Sequence, residues 1–335
     1  MLLLGTNDGV FRRGDDSRRI TDRRLNGGGG LTAIRVKAFG DTAYAATERA
    51  LYRSTDEGAT WTELDTSTKK VYSVTESPDG ERLYTGTFPV HVYRSEDHGE
   101  TWTEHESIRG VPAAETWETP RHDDAAQVRA LHTHPDAPDR LVAGVEAGGV
   151  HVSDDRGKTW ADRAEGVAAD IHDLHLRGPE EFLAATGFGW YRTTDAGETW
   201  TRRDPAAGTD PDPYETTGDP ATLGIGETGA PRQYFRATAS HDGRLYASAA
   251  TGPTGTWIGE HGADAALYES TDSGGTWEAV DYPGGPMEFV LSFTVDASTD
   301  RLLAGTDRGR VLACEDGKWV EVARVPACIR SLAVA

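Results

Sequence analysis

One octet constrains this chain more than any other feature. Ser95-Glu96-Asp97-His98-Gly99-Glu100-Thr101-Trp102 has the form S-x-D-x-G-x-T-W. The form recurs at Ser54 to Trp61, Ser153 to Trp160, Thr193 to Trp200 (Thr in the first place) and Ser270 to Trp277. A shortened version, Cys314-Glu315-Asp316-Gly317-Lys318-Trp319, ends the series. The aspartates Asp56, Asp97, Asp155, Asp195 and Asp272 are placed to accept hydrogen bonds from backbone N–H groups just ahead of them, as in an Asx turn. The glycine adopts positive φ at little cost. The tryptophan is a large apolar anchor with one N–H to satisfy. One enzyme does not need five copies of its chemistry, so the octet is a strand-turn-strand staple.

Around each octet the grammar repeats. An alternating apolar strand is followed by a short polar turn and a second strand. A third strand ends at the octet, and a fourth starts at its tryptophan. Short strands with regular turn signals indicate an all-β repeat. Four strands per period of about 40 residues indicate a propeller blade. The sequence therefore predicts an all-β fold, a single seven-bladed β-propeller with four antiparallel strands per blade. The blades fall near 1–25 with 328–335, 31–67, 70–107, 127–165, 170–204, 234–282 and 288–324. Blade one lacks a first strand. Ile329 to Val334 supplies it, so the N- and C-terminal strands close one blade and remove the open edges of the ring. Insertions at 109–126, 205–233 and 252–265 all fall on connections that emerge on one face, the top. Long loops on a compact scaffold commonly carry function.

The octet resembles the Asp-box, or BNR repeat, of sialidase-like β-propellers, and the resemblance recurs from blade to blade. It implies that the octets lie on the face opposite the usual binding face. The seven-bladed architecture is also similar to the Asp-box assembly factors of photosystem II, which use arginine-bearing surfaces to hold partner proteins. No F/Y-R-I-P motif of sialidases is present, and the chain holds one propeller where Asp-box xyloglucanases have two in tandem.

Composition narrows the partners. The 335 residues carry 55 acidic and 34 basic side chains, a formal net charge of −21. The lysines are Lys37, Lys69, Lys70, Lys158 and Lys318 only. Excess acid, scarce lysine and abundant Ala, Thr and Gly resemble a haloarchaeal cytoplasmic protein, whose hydrated acidic surface stays soluble when salt screens charge. Such a charge argues against nucleic acid and against anionic membranes. Cys314 and Cys328 form neither a disulfide framework nor a zinc pattern. The start, Met1 to Thr6, lacks a signal peptide's basic region and apolar run, and no stretch approaches a membrane helix. The expectation is a cytoplasmic monomer without a cofactor.

Candidate site residues come from aligning the inner strands. Val128-Arg129-Ala130-Leu131, Ile329-Arg330-Ser331-Leu332, Ile171-His172-Asp173-Leu174, Val71-Tyr72-Ser73-Val74 and Phe235-Arg236-Ala237-Thr238 put Arg129, Arg330, His172, Tyr72 and Arg236 at one level. Three guanidinium groups on one rim make a carboxylate site. Glu48, Glu146 and Asp307 are the competing partners. The insertions add Trp117 and Trp257, residue types suited to recognition. The leading reading is a non-catalytic scaffold that binds a protein partner, or an anionic small molecule or sugar, through these residues on the top face. The alternative is a glycoside hydrolase or polysaccharide lyase acting on an acidic sugar in a top-face pocket. Its acid and base would come from His172, His261, Glu118, Glu215 and Glu260. His132 and His175 share a register in adjacent blades and are candidate metal ligands, but no Cys–His spacing accompanies them.

Overall fold

The second strand of each blade is a nearly continuous buried run of small and β-branched residues, such as Phe182-Leu183-Ala184-Ala185-Thr186. Both faces of such a strand must be covered, and neighbouring sheets stacked around an axis do this. In the computed structural model the chain is described except at 15–19, 24, 26–29, 67–69, 118–124, 208–231 and 254–261. It forms seven four-stranded antiparallel sheets. Blade one joins β1 (Leu2–Thr6), β2 (Gly9–Arg13) and β3 (Ile20–Arg23) to β28 (Ile329–Val334), its innermost strand. The inner strands of the other blades are β4 (Ala33–Phe39), β8 (Lys70–Glu76), β12 (Gln127–His134), β16 (Ile171–Leu176), β20 (Tyr234–His241) and β24 (Val290–Asp296). Each touches the next in chain order, and β28 touches both β24 and β4, so the ring closes. The N-terminal ammonium donates to the Ala335 carbonyl at 2.8 Å, fastening the closure.

The core is a series of seams between adjacent blades. Leu83 and Tyr44 belong to the seam of blades two and three, and Phe182 and Val150 to that of four and five. Close approach depends on missing side chains. A Cβ on Gly144, in the second strand of blade four, would stand 2.7 Å from Ile171 of β16.

The octets join the third and fourth strands of their blades and share one hydrogen-bond pattern. In blade three the Ser95 hydroxyl donates to Asp97 Oδ1 at 2.7 Å and accepts from the Gly99 N–H at 2.7 Å. The Thr101 N–H donates to Asp97 Oδ1 at 2.8 Å, and its hydroxyl donates to Oδ2 at 2.6 Å. His98 and Gly99 both take positive φ, 55° and 95°. A Cβ on Gly99 would lie 2.6 Å from Leu64 of the preceding blade, so the turn also seats one blade on another.

These bonds hold the carboxyls of Asp56, Asp97, Asp195 and Asp272 down at about 2. The leading cause is the threonine hydroxyl of the same octet for Asp56 and Asp97, Thr193 for Asp195 and the Thr276 N–H for Asp272. A carboxyl whose folded pKa lies below its unfolded value of about 3.9 stabilises fully above that value, and the contribution fades as pH falls toward the folded pKa. Acid unfolding is therefore expected between about pH 4 and pH 2. Circular dichroism against pH checks this, and a fold unchanged down to the lower limit would contradict it.

Candidate functional site

Each inner strand carries an irregularity near its upper end. Pairing with the second strand skips Ile34, Tyr72, Arg129, His172, Arg236, Leu291 and Arg330, one residue per blade. A bulge of this kind re-aims the extra side chain. All seven line one cavity of about 450 Å³ at the channel mouth. The alignment of inner strands named five of them. Ile34 and Leu291 went unnoticed because apolar residues there carry no chemical signal.

Charge at the mouth is opposite to that of the whole chain. Arg35, Lys70, Arg129, Arg236 and Arg330 line the cavity with only Glu48 and Glu146 as carboxylates among its described lining residues. The three rim arginines differ in their partners. Arg129 pairs with Glu146, which also accepts from the Gln127 amide. Burial is the largest influence on Arg129 and lowers its pKa, but Glu146, Tyr234 and Asp170 together outweigh it and the net shift is upward. Arg236 and Arg330 form no ion pair among the described residues, Glu146 acting on Arg236 only from a distance, and Arg236 Nη1 is buried with no hydrogen-bond acceptor. Burial, with the charge of Arg129 next in size, brings Arg236 down to about 10.

Arg35 is the residue that sequence reasoning missed. It leaves β4 of blade two and reaches across the channel. Its Nη1 lies 3.4 Å from Asp173 Oδ1 in blade five, and its Nη2 donates to the Arg129 carbonyl of blade four at 3.2 Å. It is the floor of the cavity. Closure of the ring brings these residues, 138 positions apart, within reach.

Other candidates are placed differently. His172 is buried. Its Nδ1 donates to the Phe235 carbonyl at 2.6 Å, its Nε2 lies 3.4 Å from Asp170, and its ring packs on Tyr234 at 4.5 Å. With both nitrogens engaged it ties blade five to blade six, and it lines the cavity as a wall. Trp117 is 8 % exposed, sits in the core seam of blades three and four and packs on His151 at 5.0 Å. His132 and His175 lie deeper in the channel beside Lys37, whose charge opposes a metal cation, and His175 Nε2 is 2.8 Å from the Ser240 hydroxyl. Among the described residues no group of three His, Cys, Asp or Glu is arranged to hold a metal ion. Glu118, Glu215, Trp257, Glu260 and His261 lie outside the described residues. Of the third insertion, Pro253 borders the cavity, and Arg232 of the second pairs with Asp264 of the third at 2.8 Å. No described helix is long and apolar enough to cross a membrane.

No family model matches the sequence, and neither does any curated protein. Solved structures do match in shape. A GH74 xyloglucanase from Xanthomonas campestris superposes with a TM-score of 0.72 at 18% identity, over 96% of this chain and 52% of that one. The chain thus spans about half the length of that enzyme. YCF48 bound to D1 peptide superposes with a TM-score of 0.55 at 14% identity, over 90% of this chain and 85% of that one. YCF48 from Cyanidioschyzon merolae gives 0.57 at 13%, over 89% and 88%. Likenesses at such low identity establish a shared seven-bladed propeller fold and leave activity to be argued from the site.

Proposed function

We propose that this protein is a non-catalytic binding propeller whose channel mouth takes the carboxylate of a protein segment or of an acidic small molecule. The observation that carries the reading is Arg236. A guanidinium nitrogen buried without an acceptor is costly unless something completes it. It stands on an open cavity with Arg330, which also has no described acid. A planar carboxylate matches a guanidinium fork in geometry and charge. One neighbour in shape, YCF48, was solved with a peptide bound, which is in keeping with a propeller acting as a peptide holder. A glycosidase needs two carboxyl groups across one bond. Of the two on the described wall, Glu146 is occupied by Arg129 and Gln127, so the binding reading is preferred. The five octets, at one junction in five blades, are in keeping with Asp-boxes.

Calorimetric titration with acidic peptides and with small dicarboxylates tests the reading. Wild type is expected to bind at least one class, and an Arg236→Met, Arg330→Ala double variant is expected to lose that binding. Equal affinity in both proteins would overturn it.

A further inference from the structure

Below the mouth, the channel holds side chains that the carboxylate site does not use. Three residues beyond the bulged position of each inner strand stand Lys37 of β4, His132 of β12 and His175 of β16. The other blades contribute Thr75, Ala239, Thr294 and Ala333 at this level, none of them titratable in the relevant range. Lys37 makes no hydrogen bond or ion pair with a described residue. It is half-buried, so solvent reaches it. The charged groups around it are Arg35 on its own strand and Asp173 of blade five, and Asp173 is already engaged by Arg35 and by the Thr238 N–H.

We propose that the Lys37 amine is a nucleophilic site that captures a small oxo acid as an imine. An amine with no acid of its own, next to a guanidinium, is disfavoured as a cation and free to act as a base or nucleophile. Burial first, and the Arg35 charge second, bring Lys37 down to about 8. At pH 7 its neutral fraction is then on the order of 100-fold that of an exposed lysine. Arg35 gives one N–H to Asp173 and one to the Arg129 carbonyl, and its remaining N–H groups are the partner for the carboxylate of the oxo acid. The Nζ lone pair attacks the carbonyl carbon. Both hydrogens of the neutral amine end on the carbonyl oxygen, which leaves as water while the C=N bond forms. Solvent, which reaches the half-buried amine, relays those protons, and His132 and His175 add no cation that would oppose the step. Burial holds both neutral, His132 well below its usual range and His175 at about 4.

The scarcity of lysine makes the test clean. The intact protein is treated with glyoxylate and cyanoborohydride, which reduces any imine to a stable secondary amine, and peptides are mapped by mass spectrometry. At pH 7 Lys37 is expected to carry at least about tenfold more adduct than Lys158 or Lys318, with a midpoint of labelling near pH 8, whereas exposed lysines titrate near 10. Adduct on Lys158 and Lys318 with Lys37 unmodified would overturn the proposal, as would a Lys37 midpoint near 10. Preference for glyoxylate over acetaldehyde is expected in wild type and lost in Arg35→Met; equal labelling of wild type by the two reagents would remove the oxo-acid class. Selective labelling is expected to persist in the Arg236→Met, Arg330→Ala variant, so this site stands or falls apart from the one at the mouth.

Discussion

Replacing Arg129 with methionine is expected to cost about 3–5 kcal/mol of unfolding free energy, because it breaks the ion pair with Glu146 in a largely dry site. The two side chains are 15% and 12% exposed, so water replaces little of what is lost. Gln127 remains as a donor to Glu146, but one neutral amide does not balance a charge. A second substitution, Glu146→Gln, is expected to recover most of the loss, since the pair is then removed as a unit. Urea unfolding of the two single variants and the double measures this. A loss in the double variant equal to the sum of the two single losses would mean that the pair does not act as a unit. Arg129 is thus the wrong residue with which to test binding, even though it stands on the same rim as the others.

Arg236→Met is expected to move stability the other way, raising it by about 1 kcal/mol while removing the response to carboxylates. Nothing described accepts from its buried Nη1, and Arg129 and Arg330 add repulsion. Methionine keeps the stem and drops the uncompensated charge. In wild type, an acidic ligand that binds is expected to raise the unfolding midpoint with the logarithm of its concentration once that exceeds Kd. In the variant the midpoint starts higher and stays flat. If Arg236→Met instead destabilises as much as Arg129→Met, the guanidinium has an acceptor in the folded protein and the proposed site loses its main support.

The two arginines show where sequence reading stopped. Both occupy the same place in a Φ-Arg-Ala pattern, and nothing local separates them. Their difference lies in what the next loop offers. The second strand of blade four ends in Glu146, next to Gln127 and Arg129, whereas the matching place in blade six is Ala250, so Arg236 has no acid to pair with at that place of its own blade. Sequence did not place Trp117, for a related reason. An aromatic residue in an insertion fits either recognition or core, and only packing decides which. Here the 3-10 turns Glu106–Gly110 and Pro112–Thr116 bring it back against His151.

The ring itself was fixed by sequence. The octet's bonds are local, spanning at most four residues, so its geometry follows from residue types alone, and its five full copies and one shortened copy mark six of the seven blades. Buried runs of small residues with a strand period then require sheets stacked on both sides. The floor of the cavity was not legible. Arg35 meets Asp173 across 138 residues of sequence, a contact set by the diameter of the closed ring and by bulges that turn side chains inward. Pairing between charges that meet only after closure depends on distances the linear order does not hold, so the tertiary structure alone separated the anchored arginine from the free ones.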